Sequence, residues 1–188
     1  MKGRTIRLFG MWVALTIAGY AFGGYFGHFP GGYNGEGWKL SAGGWGLLVG
    51  GVTGAVAGLL QRPGLRALRI PAGGRWVLAH AAGIGLTHAF LDFRADSIHY
   101  LPITAVGGML LGALCGWALG SLGGNKLLWT AAGGLSWTAA LLLSAALLHG
   151  PADAWKMNHI YDGLTVGVVN GIVFASLLIR CKRREPGF

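Results

Sequence analysis

The segment THAFLDFRADSIHY, residues 87–100, brings two histidines and two aspartates within fourteen residues. On one continuous helix His88, Asp92, Asp96 and His99 share a face, at spacings of four, four and three. Two imidazoles and two carboxylates in that pattern have the donor chemistry of a divalent metal site, for zinc, iron or manganese. His149, Asp153, His159 and Asp162 form a second set of the same types, and His28 stands in a corresponding place near the N-terminus. The same side chains equally suit solvated or ion-paired interfacial groups, or groups that pass a proton or hold a polar substrate. No HExxH, CxxC or ExxH pattern occurs, and no Ser-His-Asp, Walker or Rossmann arrangement is readable. GGVTGAV has glycines but no preceding strand to make a phosphate loop of them. Catalysis is not indicated.

The elements that position these groups follow from composition. Glycine supplies 36 of 188 residues, apolar types 53% and charged types 11%, against about 25% charge in a soluble domain. A hydrocarbon core of about 30 Å needs about 20 residues of helix, and six apolar runs meet that length, near 7–27, 41–61, 76–93, 101–122, 127–149 and 160–180. Backbone groups in lipid must be satisfied within their own segment, so each run is helical. The expectation is an all-α integral membrane protein, one transmembrane domain over residues 1–188. The length of the first run favours a retained helix over a cleaved leader. Cys115 and Cys181 fall in or at the end of different runs, so no disulfide is expected.

The net charge of +9 is unevenly placed. Lys2, Arg4 and Arg7 precede the first run, Arg62, Arg66, Arg69 and Arg75 occupy the second connection, and Lys126 the fourth; Arg180, Lys182, Arg183 and Arg184 close the chain. Only Lys39, Arg94 and Lys156 fall in the other connections, twelve basic residues against three. The positive-inside tendency then puts both termini in the cytoplasm, in a bacterial inner membrane, with the basic side against anionic headgroups. This distribution points away from nucleic acid. The first, third and fifth connections, rich in His and Asp, face outward. Trp12, Trp76 and Trp129 near the inner boundary, and Trp38, Trp45 and Trp155 near the outer, fit an interfacial aromatic belt.

The runs repeat. Odd-numbered helices open alike, as MWVALTIAG from Met11, RWVLAHAAG from Arg75 and LWTAAGGLS from Leu128, and each is followed by a helix with glycine at every fourth position. Those stripes are Gly46, Gly50, Gly54 and Gly58; Gly108, Gly112, Gly116 and Gly120; and Gly163, Gly167 and Gly171. Helix association in lipid depends on close approach, which small residues permit. The expected architecture is three hairpins around a pseudo-threefold axis, with helices 2, 4 and 6 packed inside through their glycines and helices 1, 3 and 5 outside. His80 and Asn170 are the ionisable and polar groups expected within the bilayer.

Residues 54–86, GAVAGLLQRPGLRALRIPAGGRWVLAHAAGIGL, and 163–180, GLTVGVVNGIVFASLLIR, resemble a group of uncharacterised glycine-rich polytopic bacterial membrane proteins. Those proteins repeat a striped helix, a glutamine (here Gln61), a basic stretch and a WVLA helix. The resemblance covers about half the chain and implies a polytopic membrane fold, with no activity attached. The functional expectation is a non-enzymatic scaffold or accessory subunit that meets the lipid bilayer and a membrane-protein partner or further copies of itself. A small-solute or metal-ion transporter or receptor using the outer His/Asp cluster is the alternative, and a membrane enzyme with a metal at the outer boundary a third class.

Overall fold

A computed structural model describes residues 2–28, 42–67, 70, 73–93, 97–120, 126–147, 160 and 163–173. The helices are α1 (Lys2–His28), α2 (Ala42–Ala67), α3 (Gly73–Phe93), α4 (Ser97–Leu119) and α5 (Lys126–Leu147), followed by a shorter α6 (Gly163–Val173). Three segments, Ile6–Phe26, Gly43–Ala67 and Leu101–Leu119, are long and apolar enough to cross a membrane.

The side-chain distribution is that of a protein solvated by lipid. Thr16, Thr53, Gln61, His80, Thr87, Thr104, Ser136 and Asn170 are buried, while Phe22, Leu78, Phe90, Val106, Leu135 and Ile172 are each more than half exposed. In water an exposed apolar surface of this extent would mark an aggregating chain; against acyl chains it needs no cover. Thr16, Thr53, Thr87 and Ser136 return their hydroxyl protons to a carbonyl of their own helix, as Thr53 does to Val49 at 2.8 Å and Thr87 to Gly83 at 2.7 Å. That satisfies the hydroxyl without a second helix.

Helices adjacent in sequence pack together through the pairs α1–α2, α2–α3, α3–α4 and α4–α5, and α6 returns against α1. The glycine stripes set these contacts. A β-carbon at Gly54 would meet the backbone of His80 and lie 2.8 Å from Ala81 Cα; one at Gly58 would lie 2.9 Å from Val77 Cα. On α4, Gly112 is closed by the backbone of Trp129 and Thr130, and Gly108 by that of Gly133. On α6, Gly163 abuts Ile17, and Gly167 abuts Val13 and Thr16. Each stripe therefore rests on the following odd-numbered helix, or on α1 in the case of α6.

This corrects the expected arrangement of helices 2, 4 and 6 packed on one another with the odd helices outside. Both sets line the interior: Trp12, Trp76 and Trp129 come from odd helices, and Ala57, Leu111 and Val166 from even ones, all at most 1% exposed. The physical reason is volume. A flat glycine face admits one neighbouring backbone, and the space enclosed by a circuit of helices needs large side chains to fill it. The inner tryptophans are accordingly core residues and not the belt their positions suggested. Glycines outside the stripes matter as well: Gly19 meets Ala57 and Gly23 meets Thr53 across α1–α2.

Element boundaries differ in two informative places. α2 runs past residue 61 and through Pro63 to Ala67, because the added turn buries Leu65 at 1% exposure and seats Gly64 against the Trp12 ring. Gly120 leaves the α4 stripe; its φ of +58° places it beyond the helix as a left-handed cap, with nothing within 4 Å of an added β-carbon. Gly120→Val should cost about 1–2 kcal/mol through that backbone conformation alone, and Gly120→Asn clearly less, as read by thermal unfolding in detergent.

Candidate functional site

The outer set is only partly within the described residues. The described part of α3 runs to Phe93 and that of α4 from Ser97; residues 94–96 between them, and with them the proposed common face of His88, Asp92, Asp96 and His99, lie outside the described residues. His88 and Asp92 stay on α3, and His99 opens α4. The His88 ring is half-buried and meets Trp137 edge to face, with centroids 6.3 Å apart at 86°; Tyr20 meets the same indole with centroids 6.5 Å apart at 65°. His28 closes α1. The side chains of His28, Asp92 and His99, and the whole of Asp96, His149, Asp153, His159 and Asp162, lie outside the described residues. Among the described residues no three metal-ligating side chains come together.

The connected polar groups lie in the interior, toward the ends of α1, α3 and α5 that carry the repeated tryptophans. Thr16 Oγ1 donates to the Trp12 carbonyl at 2.8 Å and accepts from Gln61 Nε2 at 2.9 Å. Gln61 Oε1 accepts from the indole Nε1 of Trp76 at 2.9 Å. His80 Nδ1 stands 3.1 Å from the Trp76 carbonyl and 3.7 Å from Cys115 Sγ. Residues of α1, α2, α3 and α4 are thus joined in one run. Gln61, His80 and Cys115 are at most 3% exposed, where an unpaired amide or imidazole would carry a heavy desolvation cost.

Around this run the tryptophans pack by their edges. Trp12 and Trp76 have centroids 5.8 Å apart at 64°, and Trp76 and Trp129 6.1 Å apart at 79°. Trp76 also lies over His80, with centroids 4.6 Å apart. Such edge contacts are favourable between aromatic quadrupoles. On α6, Asn170 is 9% exposed and its Oδ1 has no hydrogen-bond partner among the described residues.

Sequence reasoning singled out His80 and Asn170 but missed the roles of Gln61, Cys115 and the tryptophans. One signal was present. Gln61, Cys115 and Asn170 each stand three residues after a stripe glycine, Gly58, Gly112 and Gly167, which is one helical step onto the interior face. Thr16→Val keeps the volume and removes the acceptor for Gln61. It should lower stability by about 0.6–1.7 kcal/mol, the range for hydrogen bonds between membrane helices, and a double-mutant cycle with Gln61→Leu in mixed-micelle unfolding checks that coupling.

No protein-family model, curated protein or solved structure matches the chain.

Proposed function

We propose that this chain is a non-enzymatic integral membrane protein, a small rigid scaffold or accessory subunit of a membrane assembly. It crosses the membrane six times as three hairpins about an approximate threefold axis, with both termini in the cytoplasm of a bacterium and its His- and Asp-bearing connections outside. Lipid-facing side chains on every helix support six crossings: α3 presents Leu78, Leu86 and Phe90, α5 presents Leu127, Leu135 and Leu142, and α6 presents Leu164 and Ile172. At the basic end, Arg75 lies 5.9 Å from the half-exposed Trp117 ring, a pairing suited to the headgroup level.

The observation that carries the scaffold reading is the filled interior. Three edge-packed tryptophans occupy the space that a conduit would need, and glycine contacts hold neighbouring helices at backbone separation. Transporters expose substrate sites through discontinuous helices near the midplane; α1, α3 and α5 run unbroken through their described lengths. Extraction from native membranes in a mild detergent, followed by mass spectrometry, should recover a partner protein or a homo-oligomer of fixed stoichiometry. Recovery of a lone monomer that drives saturable solute flux in proteoliposomes would overturn the proposal in favour of the transporter.

A further inference from the structure

We propose that the lipid-facing side of the α3–α4 contact is a binding site for one anionic phospholipid, its phosphate on Arg75 and an acyl chain in the furrow below. The inference rests on the reading that α3 and α4 cross the bilayer with Arg75 at the headgroup level. It holds whether or not the bundle serves a partner.

The two helices meet where Gly107 faces Thr87 and Gly83 faces Leu111. Beside that contact, on its lipid side, α3 places Arg75, Ala79 and Ala82 and α4 places Leu110, Leu114 and Trp117, at spacings of four and three on each helix. Arg75 and Trp117 close one end of this strip, with the guanidinium carbon 5.9 Å from the ring centroid. Ala82 is exposed, Ala79 is buried, and Leu110 and Leu114 are half-buried. Alanine on one wall beside leucine on the other makes a furrow, and dispersion contact favours filling it with a hydrocarbon chain.

The head of the furrow selects the charge. Arg75 is exposed, and α3 has no acidic residue in its first turn. Stacking on Trp117 uses a face of the guanidinium plane and leaves its edge of N–H donors free for the two oxygens of a phosphate. The amino-terminal dipole of α3 adds positive potential at the same place. Basic groups between helices on the cytoplasmic side suit anionic headgroups. A zwitterionic headgroup brings its own cation to the phosphate and loses most of this attraction, and a soluble phosphate gains nothing from the furrow.

The test is native mass spectrometry of the full chain in detergent, titrated with phosphatidylglycerol, with phosphatidylcholine of the same acyl chains, or with glycerol phosphate. One phosphatidylglycerol per chain should survive activation that strips phosphatidylcholine, and glycerol phosphate should not compete. Arg75→Gln should weaken retention about fivefold or more. Ala82→Leu fills the furrow, keeps the charge and should also weaken it. Lys126→Gln removes another exposed charge from the same end and should leave retention unchanged. All three positions are exposed, so the variants should fold. Equal losses for Arg75→Gln and Lys126→Gln, undiminished binding by Ala82→Leu, equal retention of the two lipids, or competition by glycerol phosphate would each overturn the site. The crossing of α3 is read separately, from the sidedness of labelling at residues 66 and 94; the expected sidedness without lipid selectivity removes the site alone.

Discussion

Leucine in place of Gly112 will prevent the bundle from accumulating as a folded species. A β-carbon there is directed into the α5 backbone, at the Trp129 carbonyl and 2.9 Å from Thr130 Cα. Backbone atoms have no rotamer to escape into, so α4 and α5 must separate along their shared length. The cost should reach or exceed the upper end of the about 1–3 kcal/mol usual for overpacking, a large part of the about 5–15 kcal/mol that holds a domain folded. Gly54→Leu should behave alike, since its β-carbon would lie 2.5 Å from the His80 carbonyl carbon. Gly10→Ala is the matched control. Nothing lies within 4 Å of its added carbon, and stability should stay within about 0.5 kcal/mol of the parent. Size-exclusion profiles and thermal unfolding in detergent separate these outcomes. A Gly112→Leu chain as monodisperse and stable as Gly10→Ala would remove the packing role of the stripe.

The second large effect concerns Trp76, which joins the aromatic centre to the hydrogen-bonded run. It meets Trp12, Trp129 and His80 through its rings and donates its indole proton to Gln61. Trp76→Ala should cost about 3–5 kcal/mol, the usual range for removing a buried aromatic. Trp76→Phe keeps most of the ring and leaves Gln61 Oε1 without its donor, for about 1–3 kcal/mol. Trp117→Ala, at a ring 53% exposed, should lie within about 0.5 kcal/mol of the parent. Denaturant titration of the three variants gives the order. Equal, small losses at Trp76 and Trp117 would restore the belt interpretation of the inner tryptophans.

What the sequence made legible was periodic. Five of the six expected helices coincide with α1 to α5 except at their ends, because apolar length and glycine spacing are local properties of a chain in lipid. The stripes at Gly50, Gly54, Gly58, Gly108 and Gly112 were visible for the same reason. Their partners were not, since a flat face on α2 specifies that a backbone comes near without specifying which helix supplies it. Trp12, Trp76 and Trp129 were misassigned because their sequence positions near helix ends match those of lipid-boundary anchors; only the three-dimensional closure of α1, α3 and α5 turns them inward. His80 was legible as a buried histidine, but its approach to Cys115 joins residues 35 apart in sequence. The union of Gln61 with Thr16 and Trp76 likewise spans three helices, and no spacing rule reaches that far.

The six-crossing arrangement is tested most directly by single-cysteine labelling in intact cells, in a Cys181→Ser background with the interior Cys115 retained. Arg66→Cys, Lys126→Cys and Arg94→Cys are each treated with a membrane-impermeant maleimide before and after permeabilisation. Arg94→Cys should react from outside, and Arg66→Cys and Lys126→Cys only once the cytoplasm is opened. Labelling of residues 66 and 94 from the same side would mean that α3 does not cross, and the three-hairpin account would be wrong.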